Sequence, residues 1–306
     1  MTDAAKPDLS IIVVSYGSRE MTLQALRSIE QGICTVPYEV LVVDNGSRDG
    51  SPPAIAAEFP EFRLMAEPVN LGFAGACNLA ARTARGKYLL LLNPDTVVRN
   101  HAIDSLLAFA RRRPEAGIWG GSTLFADGTL NPMSCCRRPS LWNLFCSGVA
   151  LDTRYPQSPL FGSRSYGGWD RSSEREVDIV AGCFLLIRKT LWDRLGGFSP
   201  DFFMYGEDVD LCLRARRLGF RPAFTPAAAI VHHGSGTEND QARKIRQILA
   251  ARALLIRRHF PLFKRPAGLA LLALRPMLGR LWAKHALRET WSEVWALRRQ
   301  WMMGRF

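Results

Sequence analysis

Lys87–Asp95 reads KYLLLLNPD, and this nonapeptide carries much of the information about architecture. Four consecutive leucines describe a strand covered on both faces, because a half-exposed strand alternates apolar and polar residues. The run stops at Asn93-Pro94-Asp95, a turn-forming cluster. Two earlier stretches have the same form. Leu9–Tyr16 (LSIIVVSY) ends in Ser15-Tyr16, and Tyr38–Val43 (YEVLVV) runs into Asp44-Asn45-Gly46-Ser47. Helical spacing separates these runs. Met21, Ala25, Leu26 and Ile29 share a face, Phe73–Thr83 is a helix of small residues, and Ala102–Arg112 is a third helix. Phe62–Met65 is a weaker strand and Gly117–Leu124 a further one. Buried strands alternating with helices predict an α/β fold with a doubly wound, mostly parallel, Rossmann-like sheet.

Beyond about 121 the pattern changes. Asp127-Gly128 between short runs predicts a hairpin turn. Residues 131–175 are rich in Pro, Arg, Ser and Gly without a period, and read as a long loop or lid over a site. Val177–Ile187 predicts a strand interrupted at Gly182. Asp208–Leu218 predicts a helix with Val209, Cys212, Leu213 and Arg216 on one side. Ala227–Val231 is a short strand leading into His232-His233. The chain divides into a domain over 1–240, with halves of about 9–125 and 126–240, and a helical C-terminal extension over 241–306.

The 306 residues are 47% hydrophobic and 22% charged, which excludes wholesale disorder and collagen-like repeats. Seven scattered cysteines without a Cys-x-x-Cys pair read as reduced, cytosolic thiols. The net charge of +12 is not evenly spread. Residues 241–306 hold 15 Lys/Arg against only Glu289 and Glu293, whereas the first 240 hold 25 basic and 26 acidic groups. Half of the eight Trp also lie in the tail: Trp282, Trp291, Trp295 and Trp301. Its longest apolar run, Ala267–Leu274, is cut by Arg275-Pro276, short of the roughly 20 residues a spanning helix needs. Met1–Asp8 has acids and no apolar core, unlike a secretory signal. The bland reading of the tail is a solvated basic face on helices packed against the body. The sharper one is a helix lying on an anionic membrane surface, with Trp at the headgroups. No nucleic-acid motif accompanies the basic patch, so no nucleic-acid partner is expected. The expected location is cytoplasmic, peripheral on the inner face of the plasma membrane.

Ligands of open α/β sheets bind beyond the carboxyl ends of the parallel strands. Ser15-Tyr16, Asp44-Asn45 and Asn93-Pro94-Asp95 all fall there. Each alone is ordinary turn chemistry, but together they mark one crevice. Asp95 can hold a hard divalent cation that binds a diphosphate, with His232 as a further ligand. The plainer readings are a helix N-cap for Asp95 and a capped strand end for His232. Gly206–Asp210 (GEDVD) opens a helix, where acids are favoured by the dipole. Asp210 can pair with Arg214 one turn on. Glu207 and Asp208 have no such local partner, and either could accept a proton from an attacking hydroxyl.

These residues also carry a family resemblance. VVSY at 13–16, VDNGSRDG at 43–50, NLGFAGACN at 70–78, LLNPD at 91–95, AGCFLLIRK at 181–189, FFMYGEDVDLCLR at 202–214 and the His232-His233-Gly234 run occur in order. Over about 9–240 the chain resembles glycosyltransferase family 2, of GT-A fold, and most closely its bacterial rhamnosyltransferase-like branch. The resemblance implies a nucleotide-diphosphate sugar donor in the first half and an inverting transfer to a glycan or lipid-linked saccharide. It places Ser15, Tyr16, Asp44, Asn45, Ser47, Gly72, Asn78, Asn93 and Asp95 around the nucleotide sugar. It makes Asp208 the general base, with Glu207 next in line, and Gly182 and Cys183 part of the acceptor side. It assigns Asp95 and His232 to a Mg²⁺ or Mn²⁺ ion. Asn93 stands where many relatives carry the first Asp of the metal motif, which leaves one fewer anionic ligand.

Other classes fit less well. A nucleotide-sugar pyrophosphorylase would need a Gly-rich, Arg/Lys-bearing loop where Ser15–Arg19 stands. A P-loop enzyme would need Gly-x-x-x-x-Gly-Lys-[Ser/Thr], which is absent from the sequence. A non-enzymatic membrane adaptor is the remaining alternative.

Overall fold

The computed structural model describes residues 6–32, 34–234, 240–282 and 285–305, and the side chain of Trp282 lies outside the described residues. Met1–Ala5, part of the stretch read above for a signal, also lie outside them. In chain order the elements are β1 (Leu9–Ser15), α1 (Arg19–Gln31), β2 (Tyr38–Asp44), α2 (Ser51–Glu58), β3 (Arg63–Ala66), α3 (Gly72–Thr83), β4 (Tyr88–Leu92), β5 (Thr96–Val98) and α4 (Ala102–Arg112). There follow β6 (Ile118–Leu124), β7 (Cys135–Cys136), α5 (Leu141–Gly148), α6 (Leu151–Arg154), β8 (Arg175–Glu176), β9 (Ile179–Val180), β10 (Phe184–Arg188) and α7 (Lys189–Leu195). The chain continues with α8 (Glu207–Arg217), β11 (Ala223–His232), α9 (Gln241–His259), α10 (Arg265–Trp282), α11 (His285–Ala296) and α12 (Arg298–Met302).

The main sheet runs β3-β2-β1-β4-β10-β6-β11-β5, with β8 beside β11. Its first four strands are parallel, β10 is antiparallel to both β4 and β6, and β5 is antiparallel to β11. The sheet is thus mixed, and mostly parallel by paired residues. The apolar strands behave as their composition requires. Leu9, Ile11, Val13, Val42, Leu90 and Leu92 pack under α1 and α4. Their neighbours Ile12, Val14, Leu41, Val43, Leu89 and Leu91 pack against α3 and α8 on the other face. Burying each such side chain contributes about 1.5–3 kcal/mol, and covering both faces is why no polar residue alternates.

Three expectations need correction. Residues 131–175 are not a plain lid, because they contain β7, α5 and α6. Ser140 caps α5 by accepting from Asn143 N–H at 3.1 Å, a signal hidden among prolines and arginines. Asp95 does not cap a helix; it precedes β5. The strand expected over Ala227–Val231 is longer, because β11 runs from Ala223 to His232.

The tail forms a core of its own against the body. Leu249, Ala253, Ile256, Leu272, Val294 and Trp301 pack together with Leu144 of α5. Trp301 is fully buried and donates to the Val294 carbonyl at 2.8 Å. Trp291 packs on Gly279, and Trp295 lies between Arg280 and Arg298, 5.1 Å from each. These tryptophans are spent on packing and not held out toward a membrane. Among the described residues, no helix is long and apolar enough to cross a membrane.

Candidate active site

Strand register brings the distant residues together. Phe184 of β10 pairs with Leu92 of β4, which lays the preceding Gly182-Cys183 beside Asn93; Asn93 N–H donates to the Cys183 carbonyl at 3.3 Å. His232 of β11 pairs with Thr96 of β5, and His233 N–H donates to the Asp95 carbonyl at 3.0 Å. His232 Nε2 consequently stands 3.2 Å from Asp95 Oδ1. At the start of α8, Asp208 Oδ2 accepts from Gly182 N–H at 3.0 Å and Oδ1 from its neighbour Val209 N–H at 2.7 Å. Two antiparallel pairings, neither readable from hydrophobic pattern, thus join residues 93–95, 182–183, 208 and 232.

The result is one cavity of about 570 Å³. Tyr16, Asn45, Asn93, Asp95, Gly182, Cys183, Glu207, Asp208 and His232 all line it. Five other expected residues do not line it. Ser15 is fully buried and bonded to Thr22 at 2.9 Å. Asp44 accepts from Ser47 N–H at 3.0 Å, and Ser47 Oγ accepts from Gly17 N–H at 2.9 Å, so both shape the loop that carries Tyr16. Asn78 spends its amide on the backbone of Phe198, donating to the carbonyl and accepting from N–H at 2.9 Å each. Gly72 serves a close approach: its φ is +73°, and a Cβ would stand 2.3 Å from the Phe203 carbonyl oxygen.

The acids differ in their surroundings. Glu207 is 6% exposed and its Oε2 has no hydrogen-bond partner. Burial, reinforced by the Asp208 charge, pushes its carboxyl up to about 8. Burial also raises Asp208, against the backbone donors that hold its ionised form. Both carboxyls are thus raised, and of the two it is Asp208 whose ionised form the Gly182 and Val209 N–H groups favour. Asp210 on the same helix is the reverse case. Burial opposes its charge, but His259 at 2.8 Å and Arg214 at 2.7 Å outweigh it and hold the carboxyl below its usual range. The expected Asp210–Arg214 pair is present, and His259 and Arg258 extend it to α9. That network fixes the helix whose first turn carries Asp208.

The glycosyl transferase family 2 profile matches residues 10–194, more than half of the 306-residue chain. An N-acetylglucosaminyl-diphospho-decaprenol L-rhamnosyltransferase of Mycobacterium tuberculosis is 32% identical over 244 residues, covering 76% of this chain and 77% of that protein. This chain belongs to glycosyltransferase family 2. Rhamnosyltransferase WbbL of Escherichia coli is 29% identical, over 73% of this chain and 82% of its own. Solved structures show the shared GT-A fold. Mannosyltransferase PcManGT from Pyrobaculum calidifontis, in complex with GDP-Man and Mn²⁺, superposes with a TM-score of 0.55 at 20% identity, over 98% of this chain and 85% of that one. GalNAc-T7 with UDP, GalNAc and Mn²⁺ gives 0.54 at 12% identity, over 85% and 52%.

For this glycosyltransferase, the divalent cation expected from the sequence can be tested against the donor set. Asp95 is 8% exposed, and its Oδ1 is buried without an aligned hydrogen bond despite the nearby imidazole. Burial alone would lower the His232 pKa, but Asp95 and Cys183 outweigh it and push it up to about 10. Among the described residues no group of three metal-ligating side chains exists. Asp95 is the one anionic ligand of the set, and His232 could join it only by giving up its proton, so a cation there would take its other ligands from substrate oxygens and water.

Several lining residues escaped sequence reading. Asn70 locks the nucleotide-side loop, accepting from Asn45 Nδ2 at 2.9 Å and from Gly72 N–H at 2.8 Å. Tyr205 adopts a left-handed backbone, φ +68°, uncommon for a bulky residue, at the mouth of α8. Arg164 and Arg252 enter the cavity from the segment read as a lid and from the tail.

Proposed function

We propose that this enzyme transfers a sugar, rhamnose being the first choice, from a nucleotide-diphosphate donor to a hydroxyl of a lipid-linked saccharide in cell-envelope polysaccharide synthesis, with inversion at the anomeric carbon. The observation that carries this reading is the sharing of one cavity by Asp208 and the Asp95–His232 pair. The relatives named above support the rhamnosyl part.

Tyr16 and Asn45, at the ends of β1 and β2, face the nucleotide. Asn93, Asp95 and His232 face the diphosphate. Asp95 and His232 would hold a divalent cation, which when bound neutralises charge on the leaving diphosphate. Gly182 N–H orients the Asp208 carboxylate. Asp208 takes the proton from the acceptor hydroxyl as its oxygen attacks the anomeric carbon from the face opposite the diphosphate. Glu207, kept neutral, avoids a second negative charge beside the base. The helical wall of α5 and α9 excludes water from the acceptor side.

The protein works at the inner face of the plasma membrane in this reading. Its contact is the turn between α9 and α10, where Leu262 and Phe263 are 73% and 78% exposed beside Lys264 and Arg265. Apolar tips flanked by cations suit an anionic bilayer.

A donor panel tests the proposal. dTDP-, UDP- and GDP-sugars are offered with a short-chain lipid-diphosphate saccharide, and released nucleoside diphosphate and product configuration are measured. Transfer from dTDP-rhamnose with inverted configuration is expected. Retained configuration contradicts the mechanism.

A further inference from the structure

Arg164, in the 3₁₀ turn Ser163–Ser165, and Arg252, in the middle of α9, line the same cavity as Asp208. Neither guanidinium has a carboxylate within ion-pair distance among the described residues. Other arginines that line no cavity are handled differently: Arg214 pairs with Asp210 and Arg216 with Asp178. Arg252 stands on a largely apolar face of α9, among Ile248, Ala251, Leu255 and Ile256, with Lys244 two turns before it lining the same cavity, and Leu144 of α5 stands in the same wall. Arg164 is the largest influence on Arg252, ahead of burial, and together they hold it down to about 9 against the opposing pull of Asp152. Asp208 attracts Arg164 and Asp152 attracts Arg252, but neither carboxylate forms an ion pair with them, so this wall carries positive charge that an anion would complete. The donor's diphosphate is already served at the strand ends by Asn93, Asp95 and His232.

The geometry points to Arg164 and Arg252 as a clamp for a phosphate or diphosphate carried by the acceptor, with the α5–α9 wall receiving the first carbons of the chain esterified to it. Guanidinium groups bind phosphate oxygens in bidentate fashion, and a pair can embrace a diphosphate. This inference rests on the transferase reading above and deepens it: the acceptor is an anionic amphiphile, recognised separately from the donor.

The test uses the full chain with octyl diphosphate, octyl monophosphate and octyl β-glucoside as probes, titrated with the donor site saturated by dTDP and Mn²⁺. Octyl diphosphate is expected to bind at least about tenfold more tightly than the glucoside and to be unaffected by dTDP. Arg252→Gln and Arg164→Gln should each weaken it about tenfold or more while dTDP affinity stays within about twofold. Arg252→Lys, which keeps the charge, should recover part of the loss. Without ligand, Arg252→Gln should melt at or above the wild-type temperature, because it removes a repulsion. Competition between octyl diphosphate and dTDP, equal loss of both, unchanged probe affinity, or a lowered melting temperature would each overturn the clamp. The transferase reading is separable: it fails if no donor is consumed. It survives, and the clamp fails, if a neutral acceptor is glycosylated as well as a diphosphate-linked one.

Discussion

At the strand-end wall of the cavity, Asn93, Asp95 and His232 are held by sheet register, backbone hydrogen bonds and one another. On the helical side, Arg164 and Arg252 stand, among the described residues, without an ion-paired carboxylate, beside a largely apolar wall that also carries Lys244. The first wall is satisfied from within the protein except for one carboxylate oxygen. The second is left electrostatically incomplete. In the proposed reading, the difference separates the donor, met by a preorganised polar edge, from the acceptor, met by a surface with an excess of positive charge.

The comparison can be broken at the strand-end wall first, where the effect should be largest. Asp95→Asn keeps the shape but removes the charge that would hold a cation. Transfer should fall on the order of 10²–10³-fold, equivalent to several kcal/mol in the barrier. Initial rates with added Mn²⁺ or Mg²⁺, and in EDTA, check it. Full activity in EDTA, or an Asp95→Asn enzyme with normal rates, removes the cation from the account. Gly182→Ala is milder. Its Cβ would lie in ordinary van der Waals contact, 3.4 Å from Asp208 Cβ and 3.7 Å from Oδ2, and would fill space beside the base. Transfer should fall about tenfold or more with little change in donor affinity. A proportionate loss of both would place Gly182 on the donor side.

How much of this was legible in advance follows from what hydrophobic pattern encodes. KYLLLL, YEVLVV and LSIIVV specify buried strands because both faces are covered, and the polar residues after them are the carboxyl ends. Pattern does not encode direction, so the antiparallel β10 and β5 were unreadable, and these are what bring Gly182 and His232 to Asp95. Asp208 was legible through its motif. Asn78 and Gly72 belong to the same run of motifs but serve packing, since a motif does not say which members face the ligand. Arg164 and Arg252 were invisible. One sits in a segment without period, and the other is a single cation among the 15 of a basic tail.

Smaller effects sharpen the contrast. Glu207 is protonated in the folded protein up to about 8, whereas an unfolded Glu ionises near 4.5. Between those values the folded state holds the extra proton, so stability falls as pH rises, by at most about 1.4 kcal/mol per pH unit. Glu207→Gln should abolish that slope and remove the wild-type deficit at high pH. Urea midpoints at pH 5.5 and 7.5 check it; parallel wild-type and variant curves exclude the neutral Glu207. Least in magnitude, Leu262→Asp with Phe263→Asp should reduce sedimentation with anionic vesicles by about tenfold without altering the melting temperature, because both side chains are largely exposed. Unchanged sedimentation moves the membrane contact elsewhere.

The most direct test of the central claim is Asp208→Asn, assayed in parallel for dTDP-rhamnose binding by calorimetry and for rhamnosyl transfer. If one cavity joins a donor end at Asp95 to a base at Asp208, the variant binds donor within about twofold of wild type, and transfer drops about 10²–10⁴-fold. Near-normal turnover, or donor affinity lost in step with transfer, would contradict it.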